Sequence, residues 1–404
     1  MAMQSIAIVG ASLAGLNAAE TLRRQGFAGR LVMIGNEPHK PYDRPPLSKE
    51  IARGEWPIGR VNLPLDPLLD DVEWRLGSGA TALEAATRTL AFGDGSAERF
   101  DGIVLATGAE PRRLPGADML GVHVLRTLED AVALRDDLQR SGCRIVVVGA
   151  GFIGQEAAAS ARKLNLPVTM IEAVAPAVHV LGHDIGMIMA DIHRKRGVDL
   201  RLGVAVAAFE GTGRLQRVHL SDGSFIDADV AVLGIGVTPN TTWLEGSGLT
   251  IDNGIICDES CLAAPGIVAA GDVARWPNHR YGELRRIEHW DNAVRQAEHA
   301  ALRLLAEDGG MHPGAYAPVP WFWSDQYGFK LQLVGSPVAH DEVRIVFGSG
   351  DEEKFVALYR RGDRLTAALG LAATGKLLKF RKLLESDPSW EDALALAAVS
   401  ANVT

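Results

Sequence analysis

Cysteine is the scarcest residue with chemical consequences here: three in 404 positions, Cys143, Cys257 and Cys261, with none before residue 143. So few, so widely placed, cannot staple a disulfide framework. A cofactor held by the first third of the chain also has no thiol from that region beside it. Cys257 and Cys261 stand four apart in an apolar stretch, which reads as small packing side chains near a strand rather than as a redox or metal pair. Uncharged apolar runs of membrane-spanning length are missing as well. Positive charge is in deficit, 41 Lys and Arg against 50 Asp and Glu, a net charge of −9. With one short basic cluster near the C-terminal end, this balance argues against nucleic acid as a partner. No basic residue precedes the apolar start, and its glycines and Glu20 suit a folded strand–helix unit better than a secretory signal. A cytoplasmic protein is expected.

What the sequence does have is glycine in telling places. At 404 residues the chain is too long for one core, so two or three domains are expected. Its opening stretch, Ser5 to Ala19, runs from apolar residues (Ile6, Ile8, Val9) into Gly10 and then into alanine-rich helical sequence through Gly15. Strand, tight turn and helix in that order form the front of a dinucleotide site, where backbone N–H groups at a helix start face a pyrophosphate. Ser12 replaces the usual second glycine. A second strand, Arg30–Ile34, leads to Glu37, placing a carboxylate where ribose hydroxyls would lie.

The pattern starts again at Arg144. Ile145–Val148 leads into Gly149, Gly151 and Gly154, a complete GxGxxG between strand and helix, and Pro167–Ile171 carries the acid Glu172. Two such units imply two cofactors. Glu172 would accept from a ribose 2′-hydroxyl and repel a 2′-phosphate, and residues 173–180 contain no Lys or Arg, so the second cofactor should be NAD rather than NADP. Between the units lies the proline-rich Pro38–Lys49, expected to be an extended loop lining the first cofactor with Tyr42, Arg44, Ser48 and Lys49. The second unit reads as an insertion that closes near Val230–Asn240, before Pro265–Asp272 returns to the first. A helix over about 291–306 and an aromatic-rich, strand-forming region from Pro318, ending in helix from about Lys376, complete the chain. The boundaries drawn are 1–112 with 240–317, 113–239, and 318–404.

Nine stretches, GASLAG, PYDRPPLSK, LATGAEPR, LRTLEDA, GAGFIGQE, GIGVTPN, AAGD, IEHWDNA and PWFWSDQY, together resemble the FAD-dependent NADH:ferredoxin reductases of bacterial oxygenase systems, the putidaredoxin reductase and biphenyl and toluene dioxygenase reductase type. The likeness covers essentially the whole chain. It implies an α/β fold of two Rossmann-like domains, glutathione-reductase-like with the NAD domain inserted in the FAD domain, followed by a small α+β C-terminal domain. It also implies an electron path from NADH through FAD to a two-iron two-sulfur ferredoxin serving a Rieske dioxygenase or a cytochrome monooxygenase.

Carried over residue by residue, the resemblance puts FAD on Gly10, Ala14 and Gly15 with Glu37 on its ribose. Arg44 and Lys49 would border the flavin, Arg126 would reach it from the domain link, Asp272 would hold its ribityl or pyrophosphate portion, and Trp290 would meet the ring. NADH would lie on Gly149, Gly151 and Gly154, with Glu172 on the ribose, Glu156 beside the nicotinamide amide, and Gly236 approaching by its backbone. Ser12, Ala82, Thr107, Gly108, Ile153, Gly271, Glu288 and His289 are counted with the cofactor-binding residues. Lys49, Glu156 and Arg44 are assigned to catalysis, and no metal site is expected. Lys49 and the helix start after Trp290 would stabilise negative charge on the reduced flavin. Trp321 and Trp323 read as packing rather than as an electron path. An acidic ferredoxin would meet the basic cluster Lys376, Lys379, Arg381 and Lys382. The alternatives are a rubredoxin reductase, an NADH oxidase, or a non-enzymatic NADH sensor resembling apoptosis-inducing factor.

Overall fold

A computed structural model describes residues 3–401. Among the described residues seven α-helices follow in chain order: α1 (Leu13–Arg24), α2 (Leu128–Leu138), α3 (Phe152–Lys163), α4 (His183–Lys195), α5 (Trp290–Ala306), α6 (Thr374–Leu384) and α7 (Trp390–Ala401). The described chain forms two compact units. One comprises the residues up to Asp43, Val61–Glu110 and Thr238–Pro320; the other comprises Arg44–Arg60, Pro111–Val237 and the chain from Trp321 onward.

In the first unit a six-stranded sheet runs in the order Leu262–Ala264, Ile267–Ala269, Gly102–Leu105, Ser5–Val9, Arg30–Gly35, Glu73–Leu76. All neighbours are parallel except the first pair. Strands covered on both faces need continuous apolar sequence, and Ile6, Ile8, Val32, Met33, Ile34, Ile103 and Val104 are fully buried. Because the chain leaves Ser5–Val9 for one side and later returns on the other, the order reverses at that strand. Ligands bind beyond the C-terminal ends of the strands at such a reversal.

The second unit repeats the scheme with a five-stranded parallel sheet, in the order Val198–Leu202, Val168–Glu172, Ile145–Val148, Val230–Leu233, Val122–His123. It also contains the antiparallel C-terminal sheet Trp321–Gln326, Phe329–Gly335, Arg364–Leu371, Lys354–Arg361, Glu342–Ser349. The sequence reading separated this region from the preceding one at 318, but here both share a compact unit, and α4 shows why. Its Ile185, Met189 and Ile192, spaced to share one helix face, belong to the same buried cluster as Leu333, Phe355, Tyr359 and Leu369 of the C-terminal sheet. Tyr359 OH also donates to Leu181 O at 3.0 Å.

The stretch expected as an extended loop contains a 3₁₀ turn, Pro45–Ser48. Proline at the first positions of a helical turn loses no hydrogen bond and has φ already set, so the pair Pro45-Pro46 starts a turn rather than forbidding one. Arg44, Ser48 and Lys49 of that stretch fall in the segment Arg44–Arg60 of the second unit, and Tyr42 falls in the first.

Candidate functional site

The two glycine turns are built alike. At the first, a Cβ on Gly10 would sit 2.1 Å from Ala106 O, and one on Gly15 would sit 1.9 Å from Gly10 O; Gly10 also has φ +124. At the second, a Cβ on Gly149 would meet Gly234 O at 2.4 Å, and one on Gly154 would meet Gly149 O at 2.0 Å, with Gly149 at φ +97. Outer glycines therefore let the helix close on its strand. The middle position differs, because a Cβ on Gly151 meets nothing nearer than Gly234 O at 3.7 Å. The chain itself does not require glycine there, which fits an approaching phosphate group. Ser12 holds the corresponding place in the first turn.

Both helices that follow have open starts. Ser12 caps α1 without a side-chain hydrogen bond, the cap of α3 is Gly151, and neither first turn carries an acidic residue. By contrast, α2 closes its own start with Thr127 and Asp130 in a reciprocal capping box. Unsatisfied N–H groups with the positive helix end behind them receive an anion. Each turn has its carboxylate. Glu172, at the end of its strand, accepts from Ala150 N at 2.7 Å and Val174 N at 3.1 Å. Glu37, two residues past its strand, accepts from the Tyr42 hydroxyl.

Around the first turn the structure gathers several expected residues. Thr107 and Gly108 come directly after Ala106, whose carbonyl lies against Gly10 at the end of the strand Gly102–Leu105, and Thr107 exchanges hydrogen bonds with Asn240. A Cβ on Gly271 would lie 3.1 Å from that of Ala14, so Asp272 stands beside α1. Gly271 N donates to Gln296 of α5 at 3.0 Å, and Arg286 donates to Asp272 O. His289 caps α5; burial pushes its imidazole down to about 4, against the opposing pull of Asp272. Trp290, which starts α5, donates its indole N–H to Asp43 at 2.9 Å. Glu288 is exposed and pairs with Arg286. Ala82 lies exposed on a separate three-stranded antiparallel sheet.

Arg44, Lys49 and Arg126 belong to the second unit. Arg44 donates to Arg126 O at 2.5 Å, while Lys49 meets Glu156 on the first turns of α3, Nζ to Oε2 2.9 Å, with both side chains under a tenth exposed. The Glu156 carboxylate also accepts from Ser48 at 2.5 Å and from Ser324 at 2.7 Å. Three donor–acceptor contacts on one buried pair satisfy the requirement for keeping charge in a core. Ile153, beside it, leaves an apolar side chain exposed at the helix start. Gly236 has φ +88 with open space where a Cβ would be. Sequence reasoning noted both Lys49 and Glu156 but missed their pairing, and it missed Ser48 and Ser324 as partners. The only available signals were two serines inside otherwise distinctive motifs.

Thiol chemistry has no place in this arrangement. All three cysteines are free and buried. Burial pushes the Cys143 thiol up to about 11 and that of Cys257 up to about 12, and raises that of Cys261 as well. A buried thiol held protonated is neither a nucleophile nor a redox group. Among the described residues no cluster of metal-ligating side chains occurs, and no helix is long and apolar enough to cross a membrane.

Comparison with known proteins agrees with this geometry. Residues 4–297 match the family described as pyridine nucleotide-disulphide oxidoreductase, and residues 321–401 match the reductase C-terminal family. The ferredoxin–NAD(+) reductase component of the p-cumate 2,3-dioxygenase system of Pseudomonas putida is 40% identical over 378 residues, covering 92% of this chain and 90% of that protein. Putidaredoxin reductase of Pseudomonas putida is 36% identical, covering 91% and 88%. The crystal structure of a covalent putidaredoxin reductase–putidaredoxin complex superposes with a TM-score of 0.91 at 31% identity, covering all of both chains. Two uncapped glycine turns with their carboxylates, followed by the C-terminal sheet, thus place this chain in the pyridine nucleotide-disulphide oxidoreductase family, with a reductase C-terminal domain appended.

Proposed function

We propose that the protein is an FAD-dependent NADH:ferredoxin reductase of an oxygenase system. The duplicated uncapped turn, each copy with its own carboxylate, carries this reading. FAD is assigned to the turn Gly10–Gly15 with Glu37, Thr107, Asp272 and Trp290, in the domain drawn as 1–112 with 240–317. NADH is assigned to Gly149–Gly154 with Glu172, Glu156 and Gly236, within 113–239. When bound, FAD accepts a hydride from NADH and releases its electrons singly, as an iron–sulfur acceptor needs. The chain's own work is to bind and orient the two dinucleotides and to keep a fixed positive charge, Lys49, at the coenzyme turn. Free cysteines suit a reducing compartment, and we place the protein in the cytoplasm.

Coenzyme choice tests the assignment of the second turn. With Glu172 held by two backbone amides and no Lys or Arg in residues 173–180, a 2′-phosphate meets an immobile carboxylate. The expected preference for NADH over NADPH in kcat/KM exceeds tenfold, about 2 kcal/mol. Comparable values for the two coenzymes would remove the basis for this assignment. Replacing all three cysteines by serine or alanine should leave ferredoxin reduction nearly intact, apart from some lost stability. A collapse in turnover with flavin retained would instead show a participating thiol.

The partner surface is proposed on α6. Lys376 stacks on Phe347 at 4.2 Å and Arg381 on Trp321 at 4.8 Å, whereas Lys379 and Lys382 are exposed. An acidic two-iron two-sulfur ferredoxin would be steered by such charges, which act mainly on encounter and are screened within about 8 Å at physiological salt. Reversing Lys379 and Lys382 to glutamate should raise the KM for ferredoxin at low salt and flatten its salt dependence, with flavin reduction by NADH unchanged. Unaltered ferredoxin kinetics at low salt would move the docking face elsewhere, with Arg285 and Arg286 as the next candidates.

A further inference from the structure

The run Phe322–Tyr327 serves no step in the proposed reaction, yet it lays a polar ladder through the core. Along the strand Trp321–Gln326 alternate side chains share a face, and Phe322, Ser324 and Gln326 lie on the one that meets α3. Phe322 packs on Phe152 with ring centroids 4.4 Å apart. Ser324 and Gln326 are 0% and 2% exposed, and a buried hydroxyl or carboxamide is costly unless its hydrogen bonds are made. Here they are made. Gln326 Nε2 donates to Ser324 Oγ and to Gln155 Oε1, each at 3.1 Å, and Ser324 Oγ donates to Glu156 Oε1 at 2.7 Å.

Behind Gln326 stands His193 of α4, with Nε2 3.2 Å from Gln326 Oε1 and Nδ1 2.7 Å from the Tyr327 hydroxyl. The carboxamide oxygen can only accept, so the ring donates from Nε2 and accepts Tyr327 at Nδ1. Burial pushes this imidazole down to about 4, which agrees with a neutral ring. The series Tyr327, His193, Gln326, Ser324 therefore runs donor to acceptor toward the Glu156 carboxylate, with one side branch from Gln326 to Gln155, and successive bonds in a dry core polarise one another.

We propose that Ser324 and Gln326 are positioning residues for the coenzyme turn: they hold the Glu156 carboxylate, and through it the Lys49 ammonium, in a single geometry. The role in hydride transfer rests on the reading of Gly149–Gly154 as the NADH site. Oε1 is pinned by Ser324, leaving Oε2 to take Ser48 and Lys49. Without the Ser324 hydroxyl the carboxylate can rotate and the ammonium loses its fixed partner.

The first readout needs no turnover. In the FAD-loaded protein without NADH, acylation of Lys49 by N-hydroxysuccinimidyl acetate is followed by peptide mass spectrometry, with exposed Lys163 as the internal reference. Ser324→Ala should raise the Lys49 rate about tenfold, the effect of losing one hydrogen bond to a charged acceptor, and leave Lys163 unchanged. In a Glu156→Gln background the same substitution should change it by less than about twofold, since coupled groups are not additive. Should Ser324→Ala fail to fold, Gln326→Leu gives the same readout in the same direction. Unchanged Lys49 labelling, or an equal effect in both backgrounds, overturns the positioning role. In stopped flow, Ser324→Ala should lower the limiting rate of flavin reduction without changing the Kd for NADH. A wild-type protein that NADH does not reduce overturns the coenzyme reading, while the labelling still decides whether the ladder holds the pair.

Discussion

Glu156→Leu is expected to destabilise the second unit by about 3–5 kcal/mol, because it leaves the Lys49 ammonium buried without its counter-charge. Lys49→Met should cost a similar amount for the mirror reason. The double variant, Lys49→Met with Glu156→Leu, should recover most of the loss, since two apolar side chains of similar volume can replace a buried pair. Urea unfolding of the four proteins measures this. If the double variant is as unstable as the sum of the singles, the cost lies in packing rather than in stranded charge. Function follows a different pattern. The double variant, stable but without a fixed charge at the coenzyme turn, should reduce its flavin with NADH at least about tenfold more slowly than wild type, the loss of a preorganised electrostatic partner. Stability recovered and activity not recovered is thus the expected pair of results.

The second large effect separates two glycines three residues apart. Gly154→Ala drives a methyl group to 2.0 Å from Gly149 O. Neither atom belongs to a flexible side chain, so helix and strand must part, at a cost of about 3 kcal/mol or more. Gly151 is at φ −71 and ψ 179, a conformation open to any residue, with its nearest neighbour at 3.7 Å. Gly151→Ala should therefore unfold within about 1 kcal/mol of wild type and keep its flavin, since a surface change without strain or burial has a small effect. Its methyl group occupies the approach to the helix start, however. The Kd for NADH should rise by about tenfold or more, equivalent to about 1.4 kcal/mol. Tight NADH binding by Gly151→Ala would mean that the pyrophosphate does not pass over this residue. A folded, NADH-binding Gly154→Ala would contradict the close helix–strand packing itself.

Local signals were legible where the chemistry demands a particular residue at a particular spacing. Gly10 and Gly149 are required by their left-handed backbone, Gly15 and Gly154 by the carbonyl each would strike, and Glu37 and Glu172 by their places after a strand. The start of α5 was expected at Asp291 and lies at Trp290. The two turns, their helices and their carboxylates could thus be read in order from the opening residues of each unit. The 3₁₀ turn Pro45–Ser48 escaped that reading because proline excludes the middle of a helix but favours its start.

What the tertiary structure decided is who meets whom at long range. Lys49 and Glu156 are 107 residues apart, and Ser324 and Glu156 are 168. No periodicity or motif spacing encodes such a pair, because each side chain only needs to be compatible with its own strand, turn or helix. The same holds for α4, whose partner, the C-terminal sheet, is set by packing rather than by the helix's own sequence. By itself the sequence determined two glycine turns, each with its carboxylate, and the absence of any cysteine before residue 143. Only the packing of distant segments turned a lysine, a carboxylate and two serines into one buried, directional network, because the free energy of burying charge is met only when all its partners arrive together.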